Sequence, residues 1–490
     1  MTPEGSYTPH VGQRMESEAP RGAVQLGRFV VAVVLAGVIG LSTFIAVVSK
    51  YFDGDPFNPE PLVFPAGPQE ITVRGDFPNL DLLVLSLIGF VLVVLLSVIA
   101  DVIATTRTRH PEWSMLRPLL PPAPPERSRG PLHLIALIPA HNEADSIATT
   151  LASLQAQDPP PDRIIVVADN CTDDTADLAR ASGAEVFVTQ GNTARKAGAL
   201  NQALATLLPS CDESDVILVM DADTVLSSTY TATAMDALQR FSLLDAVGGL
   251  FYGDPGGGLL GQLQRNEYLR YQGQIIHRRG RVFVLTGTAT VFRAEALADV
   301  AAARGVLIPG RPGDVYDSTA LTEDNELTIA LKSLGSRMVS PPGCGVRTEV
   351  MPTWRALWVQ RLRWQRGALE NLATYGFTTA TLRYWMQQVG IGYGFIALTC
   401  AYALLFIVLM AADQWVWHPF WILVTLVFLV ERVGTVWRGG AKARWLAAPL
   451  IIEITYDFFL QIVFLVSLVK IVTRSRSSWG HATAPGGATS

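Results

Sequence analysis

Five apolar runs, residues 28–49, 81–103, 388–411, 415–433 and 449–472, are each close to the length needed to cross a bilayer as a helix, about 20 residues. They leave one long stretch, 104–387, for a soluble domain. A hydrophobic fraction of 49% against 17% charged residues is high for a soluble chain of 490 residues, and the length exceeds one ordinary domain. The expectation is a multi-pass membrane protein with a single soluble domain inserted between its spans. The first run follows a polar tail of residues 1–27 and has no small-residue cleavage site after it, so it reads as an anchor and not as a signal peptide.

Charge sets the topology. Arg107, Arg109, Arg117, Arg127 and Arg129 crowd the segment after the second run, whereas the loop before it carries Asp53, Asp55, Glu60, Glu70 and Asp76 against Lys50 and Arg74. The positive-inside rule then faces the soluble domain to the cytoplasm. The same rule puts Arg432, Arg438, Lys442 and Arg444 inside, but a full crossing by the fifth run would put Lys470, Arg474 and Arg476 outside. Glu453 and Asp457 within that run leave an interfacial or re-entrant course open. A net charge of -5, with no basic patch interleaved with aromatics, argues against a nucleic-acid partner. Cys171, Cys211, Cys344 and Cys400 lack metal-ligand or disulfide-framework spacing and read as reduced thiols.

Within the soluble stretch, apolar runs of strand length alternate with helical patterns. They are Leu132 to Ile138, a helix from about Glu143, Arg163 to Ala168, a helix from about Asp173, Ala184 to Val188, a helix from about Arg195, and Val216 to Met220. This alternation predicts an α/β domain of parallel strands and crossover helices, with ligands gathered at the strand C-terminal ends. The polar signatures fall at those ends. Pro139-Ala140-His141-Asn142-Glu143 follows the first strand, as a turn with helix-capping residues or as the rim of a nucleotide crevice. Asp169 ends the second strand, where a carboxylate has no packing role. Arg195-Lys196 opens a helix, where a cation suits a diphosphate or simply solvent. Asp221-Ala222-Asp223 ends the fourth strand, and two carboxylates so close repel unless a divalent cation or water satisfies them. Gly287-Thr288 lies in a loop of small residues that lets a ligand approach the backbone. Thr322-Glu323-Asp324 opens a helical pattern, as an acidic first turn or as a source of a general base. Gln360-Arg361-Leu362-Arg363-Trp364 joins a neutral donor, a guanidinium fork and an aromatic face. Its bland reading is an amphipathic interfacial helix.

The order of these pieces, an acidic pair, then a lone carboxylate, then a cationic and aromatic cluster before spanning sequence, resembles the membrane-embedded family 2 glycosyltransferases. That group contains the cellulose, hyaluronan, chitin and poly-N-acetylglucosamine synthases, and the resemblance runs from about 132 to 375. It implies a nucleotide-diphospho-sugar transferase domain of GT-A-like fold inserted between transmembrane helices. Residues 1–27 would be a cytoplasmic tail, 28–103 two transmembrane helices with an extracytoplasmic loop, and 104–131 a proline- and arginine-rich linker. The glycosyltransferase domain would span 132–350, interfacial helices 351–387, about three transmembrane segments 388–472 and a polar tail 473–490. By the same resemblance Glu143 lies by the nucleotide base and Asp169 holds the uracil or ribose. Lys196 meets the diphosphate, Asp223 with Asp221 holds Mg²⁺ or Mn²⁺, and Gly287 and Thr288 lie on the acceptor side. Asp324 beside Glu323 is the base, and Gln360, Arg363 and Trp364 contact phosphate and acceptor sugar.

The resulting expectation is an inverting, metal-dependent hexosyltransferase at the plasma membrane. It would move sugar from a nucleotide-sugar donor, UDP-linked, to a growing β-glycan. The alternative is a single transfer to a lipid acceptor that makes a glycolipid. Polyprenyl-phosphate sugar transferases rank third because they generally lack the terminal cluster. A silent scaffold retaining the fold would be expected to lose Asp223, Asp324 or Arg363, and all are present. Five spans would form a small glycan channel, which leaves room for a homo-oligomer or a separate export partner.

Overall fold

The computed structural model describes residues 62–66, 69–73, 130–277, 280–411, 415–417 and 419–473. The apolar runs 28–49 and 81–103 and most of the 104–131 linker lie outside the described residues. Two compact units are present, one holding 130–388 and 436–473 and the other 62–73 and 389–435.

In the second unit, β1 (Leu62–Ala66) and β2 (Gln69–Val73) pair antiparallel. The remaining elements follow in chain order. The first unit is built on β3 (His133–Ala140), α1 (Ile147–Gln155), β4 (Arg163–Ala168), α2 (Thr175–Ala181), β5 (Glu185–Val188), α3 (Arg195–Leu207) and β6 (Asp215–Met220). The strands β3, β4, β5 and β6 are parallel, as the alternation predicts, and the near-continuous burial of β3, β4 and β6 is what a sheet covered on both faces requires. Two helices start later than their sequence patterns suggest, at Ile147 and not near Glu143, and at Thr175 and not near Asp173. Asn142 has φ 57°, which interrupts the chain before α1, and the Asp173 carboxylate accepts from Thr175 N and Oγ1 ahead of α2.

The chain continues through β7 (Val225–Leu226), α4 (Tyr230–Arg240), β8 (Ala246–Gly248), β9 (Leu250–Gly253), α5 (Gly258–His277), β10 (Ala289–Arg293), α6 (Ala294–Ala303), α7 (Glu323–Ser333), β11 (Met338–Val339), β12 (Gly345–Thr348) and α8 (Trp354–Tyr375). The main sheet has seven strands in the order β11-β8-β10-β6-β3-β4-β5, and a smaller sheet has the order β7-β12-β9. The sheet is therefore mixed, not wholly parallel. β10 runs antiparallel to both β6 and β8, because the intervening connection brings it in from the opposite end. This matters for the site. Ala289 pairs with Met220, which places Gly287 and Thr288 directly beside Asp221, whose N–H donates to Thr288 O at 3.0 Å.

The last elements are α9 (Leu382–Ala411), β13 (Trp415–Trp417), α10 (Pro419–Thr435), α11 (Gly440–Ala447) and α12 (Ile451–Val472). The run 415–433 is not one helix. Trp415–Trp417 pairs parallel with β2, as β-favouring Trp-Val-Trp can, and Pro419 then starts α10. Among the described residues one helix, α12, is long and apolar enough to cross a membrane by length and composition. In the first unit α5, α8 and α12 share a cluster of Leu260, Leu263, Leu357 and Tyr456.

Candidate active site

The crevice forms where β3, β4 and β6 end. Asp169 N donates to Ala140 O at 2.8 Å, so the loops after β3 and β4 lie side by side. Glu143 N donates to Thr175 Oγ1 at 2.8 Å, and Ser146 Oγ donates to the Glu143 carboxylate at 2.8 Å. Asp169 is buried, and its Oδ1 accepts from Thr189 Oγ1, Asn192 Nδ2 and Asn170 Nδ2 at 2.8, 2.8 and 3.1 Å. One oxygen of Asp169 is thus committed to ordering the loop. The small residue Gly198 has a local reason, since a Cβ there would stand 2.2 Å from Asn192 Oδ1. Asn201 orders the neighbouring loop: it is buried, accepts from Val315 N and Tyr316 N, and donates to Tyr316 O.

One member of the acidic pair has a cationic partner. Lys196 Nζ reaches from the first turn of α3 to Asp221 Oδ1 at 2.5 Å and to Glu323 Oε1 at 3.4 Å, and donates to Gly287 O at 3.4 Å. Burial alone would push this ammonium down, but Asp221, Glu323 and Asp324 together hold it above its ordinary range. A lysine from 25 residues earlier in the chain is thus a partner of Asp221. Asp223 Oδ1 accepts from Thr224 Oγ1 at 3.2 Å. Burial raises the carboxyls of Glu143, Asp221 and Asp223, and neighbouring acids add to it: Asp223 and Asp221 at Glu143, Asp223 and Glu323 at Asp221, and Glu349 at Asp223.

Asp324 faces the same pocket from the first turn of α7, together with Lys196, Gly287, Tyr316, Glu323 and Leu327. Gly287 N donates to Asp324 Oδ2 at 3.2 Å and Asn325 N to Oδ1 at 2.8 Å. Burial and Glu323 push the Asp324 carboxyl up to about 6, against the pull of Lys196. A Cβ at Gly287 would lie 3.4 Å from both Asp324 Oδ2 and Lys196 Nζ, so a larger side chain there would fill the space between them. Thr322 holds the N-cap position without a side-chain cap bond. Its side chain is engaged by α8 instead, accepting from Asn371 Nδ2 at 3.2 Å.

Gln360, Arg363 and Trp364 lie on α8. Trp364 is 36% exposed, and the Arg361 guanidinium stands 4.2 Å from its ring centroid. Gln360 Oε1 accepts from Arg361 Nη1 at 3.1 Å. The structure thus brings Lys196, Asp221, Gly287, Thr288, Glu323 and Asp324 into direct neighbourhood, with Glu143 and Asp223 linked to them through their fields. Asn192, Tyr316, Glu349 and Arg361 were missed as site components. Only Arg361, inside the aromatic and cationic cluster, carried a sequence signal.

Poly-β-1,6-N-acetyl-D-glucosamine synthases are among the curated relatives. That of Staphylococcus aureus strain MSSA476 is 27% identical over 249 residues, 50% of this chain and 56% of the relative. That of Staphylococcus epidermidis is 25% identical over 242 residues, 48% and 54% respectively. The chain therefore spans about half the length of the curated relatives it matches. Among solved structures, a mannosyltransferase from Pyrobaculum calidifontis in complex with GDP-Man and Mn²⁺ aligns with TM-score 0.49 and 18% identity, covering 77% of this chain and 100% of that one. A Mycobacterium tuberculosis glucosyl-3-phosphoglycerate synthase aligns with TM-score 0.34 and 20% identity, covering 50% and 82%. The family described as glycosyltransferase like family 2 matches residues 131–367, and these coincide with the mixed sheet, its strand-end carboxylates and α8. Residues 131–367 are a family 2 glycosyltransferase domain of mixed α/β fold.

Proposed function

We propose that this chain is an inverting glycosyltransferase that moves a sugar, N-acetylglucosamine the first to test, from a UDP-linked donor to a growing β-glycan at the cytoplasmic face of the plasma membrane. The observation that carries the reading is the pocket in which Asp324, held by the Gly287 and Asn325 N–H groups, faces Lys196 and the end of the Asp221 strand. Glu143 and Asp169 hold the base and ribose. Asp324 takes the proton of the acceptor hydroxyl as that oxygen attacks C1, which requires its ionised form. Lys196 offsets the charge of the donor diphosphate, aided by Gln360 and Arg363. Trp364 supplies the stacking face for the acceptor sugar, and Gly287 and Thr288 keep the acceptor side open.

The strand-end acids fit a divalent cation, Mg²⁺ or Mn²⁺. Burial and like charge raise three carboxyls there together, and a cation relieves that repulsion. Among the described residues no group of three His, Cys, Asp or Glu could hold a metal by itself, which suits an ion that takes one or two protein carboxylates plus phosphate oxygens and water. Asp223 with Asp221 would hold it, and when bound it neutralises charge developing on the leaving diphosphate.

Purified full-length protein incubated with UDP- and GDP-sugars, beginning with UDP-N-acetylglucosamine, is expected to give a ladder of polymer. A single glycosylated lipid would favour the glycolipid alternative, and no transfer from any donor would remove the reading. Chelator should stop transfer and added Mg²⁺ or Mn²⁺ restore it. Undiminished product in excess chelator would count against the metal.

A further inference from the structure

Trp364 does not stand alone on α8. The Arg361 side chain, 6% exposed, lies over its ring at 4.2 Å and over the Tyr268 ring at 5.7 Å, and donates from Nη2 to Glu267 Oε2 at 2.9 Å. The same Glu267 oxygen accepts from Tyr456 Oη at 2.6 Å. Glu267 and Tyr268 belong to α5, Arg361 and Trp364 to α8, and Tyr456 to α12. One guanidinium plane is therefore fixed by a carboxylate on a second helix, and that carboxylate is fixed by a phenol on a third. A guanidinium held 4.2 Å over the indole centroid restricts the movement of that ring and occupies one side of it, which leaves the opposite side for a pyranose.

We propose that Arg361 is a positioning residue that sets the Trp364 ring for the acceptor sugar, with its own plane set by Glu267 and by Tyr456 from the apolar C-terminal helix. The proposal rests on Trp364 being the acceptor platform. Lysine at 361 keeps the charge but has no plane to stack, and phenylalanine at 456 removes one hydroxyl and little volume. A merely structural pair would affect donor and acceptor alike. A positioning pair raises the acceptor KM and leaves the nucleotide side alone.

The experiment uses full-length protein in nanodiscs with UDP-N-acetylglucosamine as donor. It measures glycan transfer beside donor hydrolysis, with binding of UDP as the control for folding. Arg361→Lys is expected to cut the ratio of transfer to hydrolysis by about 10-fold and Tyr456→Phe by about 2- to 5-fold, both through acceptor KM, as the loss of one cation–π contact and one hydrogen bond implies. In a Trp364→Ala background neither change should lower transfer further. Multiplying losses in that background overturn the proposal, as does a Tyr456→Phe variant that binds UDP but keeps the wild-type ratio. If Arg361→Lys fails to bind UDP, the Tyr456→Phe result decides. Full transfer by Trp364→Ala removes the platform reading and this proposal together. Impaired transfer by Trp364→Ala beside wild-type ratios in both other variants removes only this proposal.

Discussion

At Asp324, burial and Glu323 oppose ionisation while Lys196 favours it, and the outcome is a carboxyl pushed up to about 6. Two consequences have opposite signs. Base catalysis needs the carboxylate, so transfer should rise with pH through about 6 and level off above it, as a profile of kcat/KM from pH 5 to 8 would show. Stability runs the other way. A folded carboxyl raised above its unfolded value stabilises the fold below the unfolded pKa, near 4, and that contribution is lost as pH rises through about 6. Asp324→Asn should thus lower transfer by about 10²- to 10⁴-fold while binding UDP normally. In the ligand-free protein its Tm should equal or exceed that of the native chain at pH 7.5, with the difference closing near pH 4. Transfer near the native rate by this variant would return Asp324 to the role of an acidic first-turn residue. The carboxylate itself was legible in Thr322-Glu323-Asp324. Its field was not, because Lys196 and Gly287 lie far from it along the chain.

The helix α7 that carries Asp324 is clamped. Glu326 forms a buried ion pair with Arg304, 2.5 Å at its shortest, and accepts from Tyr375 Oη at 2.5 Å. Asn371 Nδ2 donates to Thr322 Oγ1 and to Asn325 Oδ1 at 3.0 Å. Gly367 permits this approach, since a Cβ there would sit 2.5 Å from Thr322 Oγ1. Gly367→Val should push α8 from α7, cost about 1–3 kcal/mol of stability as overpacking does, and lower transfer at least tenfold. UDP affinity should stay near normal, because the nucleotide loops end other elements, and calorimetry beside a transfer assay checks both. Unchanged transfer would show that the two helices need no fixed spacing. The contact of Gly367 with Thr322 was not legible in the sequence, because helical periodicity states which face is apolar and never what meets it.

For the whole molecule, the arginines of 104–129 against the acids of 53–76 predict a cytoplasmic domain. A membrane-impermeant thiol label applied to intact cells should leave Cys171 and Cys211, both partly exposed in the folded domain, unmodified unless the membrane is opened. Labelling of either from outside would reverse the topology. The apolar runs and the alternation of strands with helices were determined by the sequence alone, because a strand covered on both faces must be apolar throughout and a spanning helix must be apolar for its length. So was the placing of Asp169, Asp221 and Glu143 at strand ends, where polar residues must emerge from such runs. The antiparallel course of β10, the strand at Trp415–Trp417, the ammonium of Lys196 on Asp221 and the Glu267–Arg361 pair were decided only by tertiary structure. Each depends on which distant segment arrives beside another, and the patterns of 2 and 3.6 residues that a chain displays locally hold no record of it.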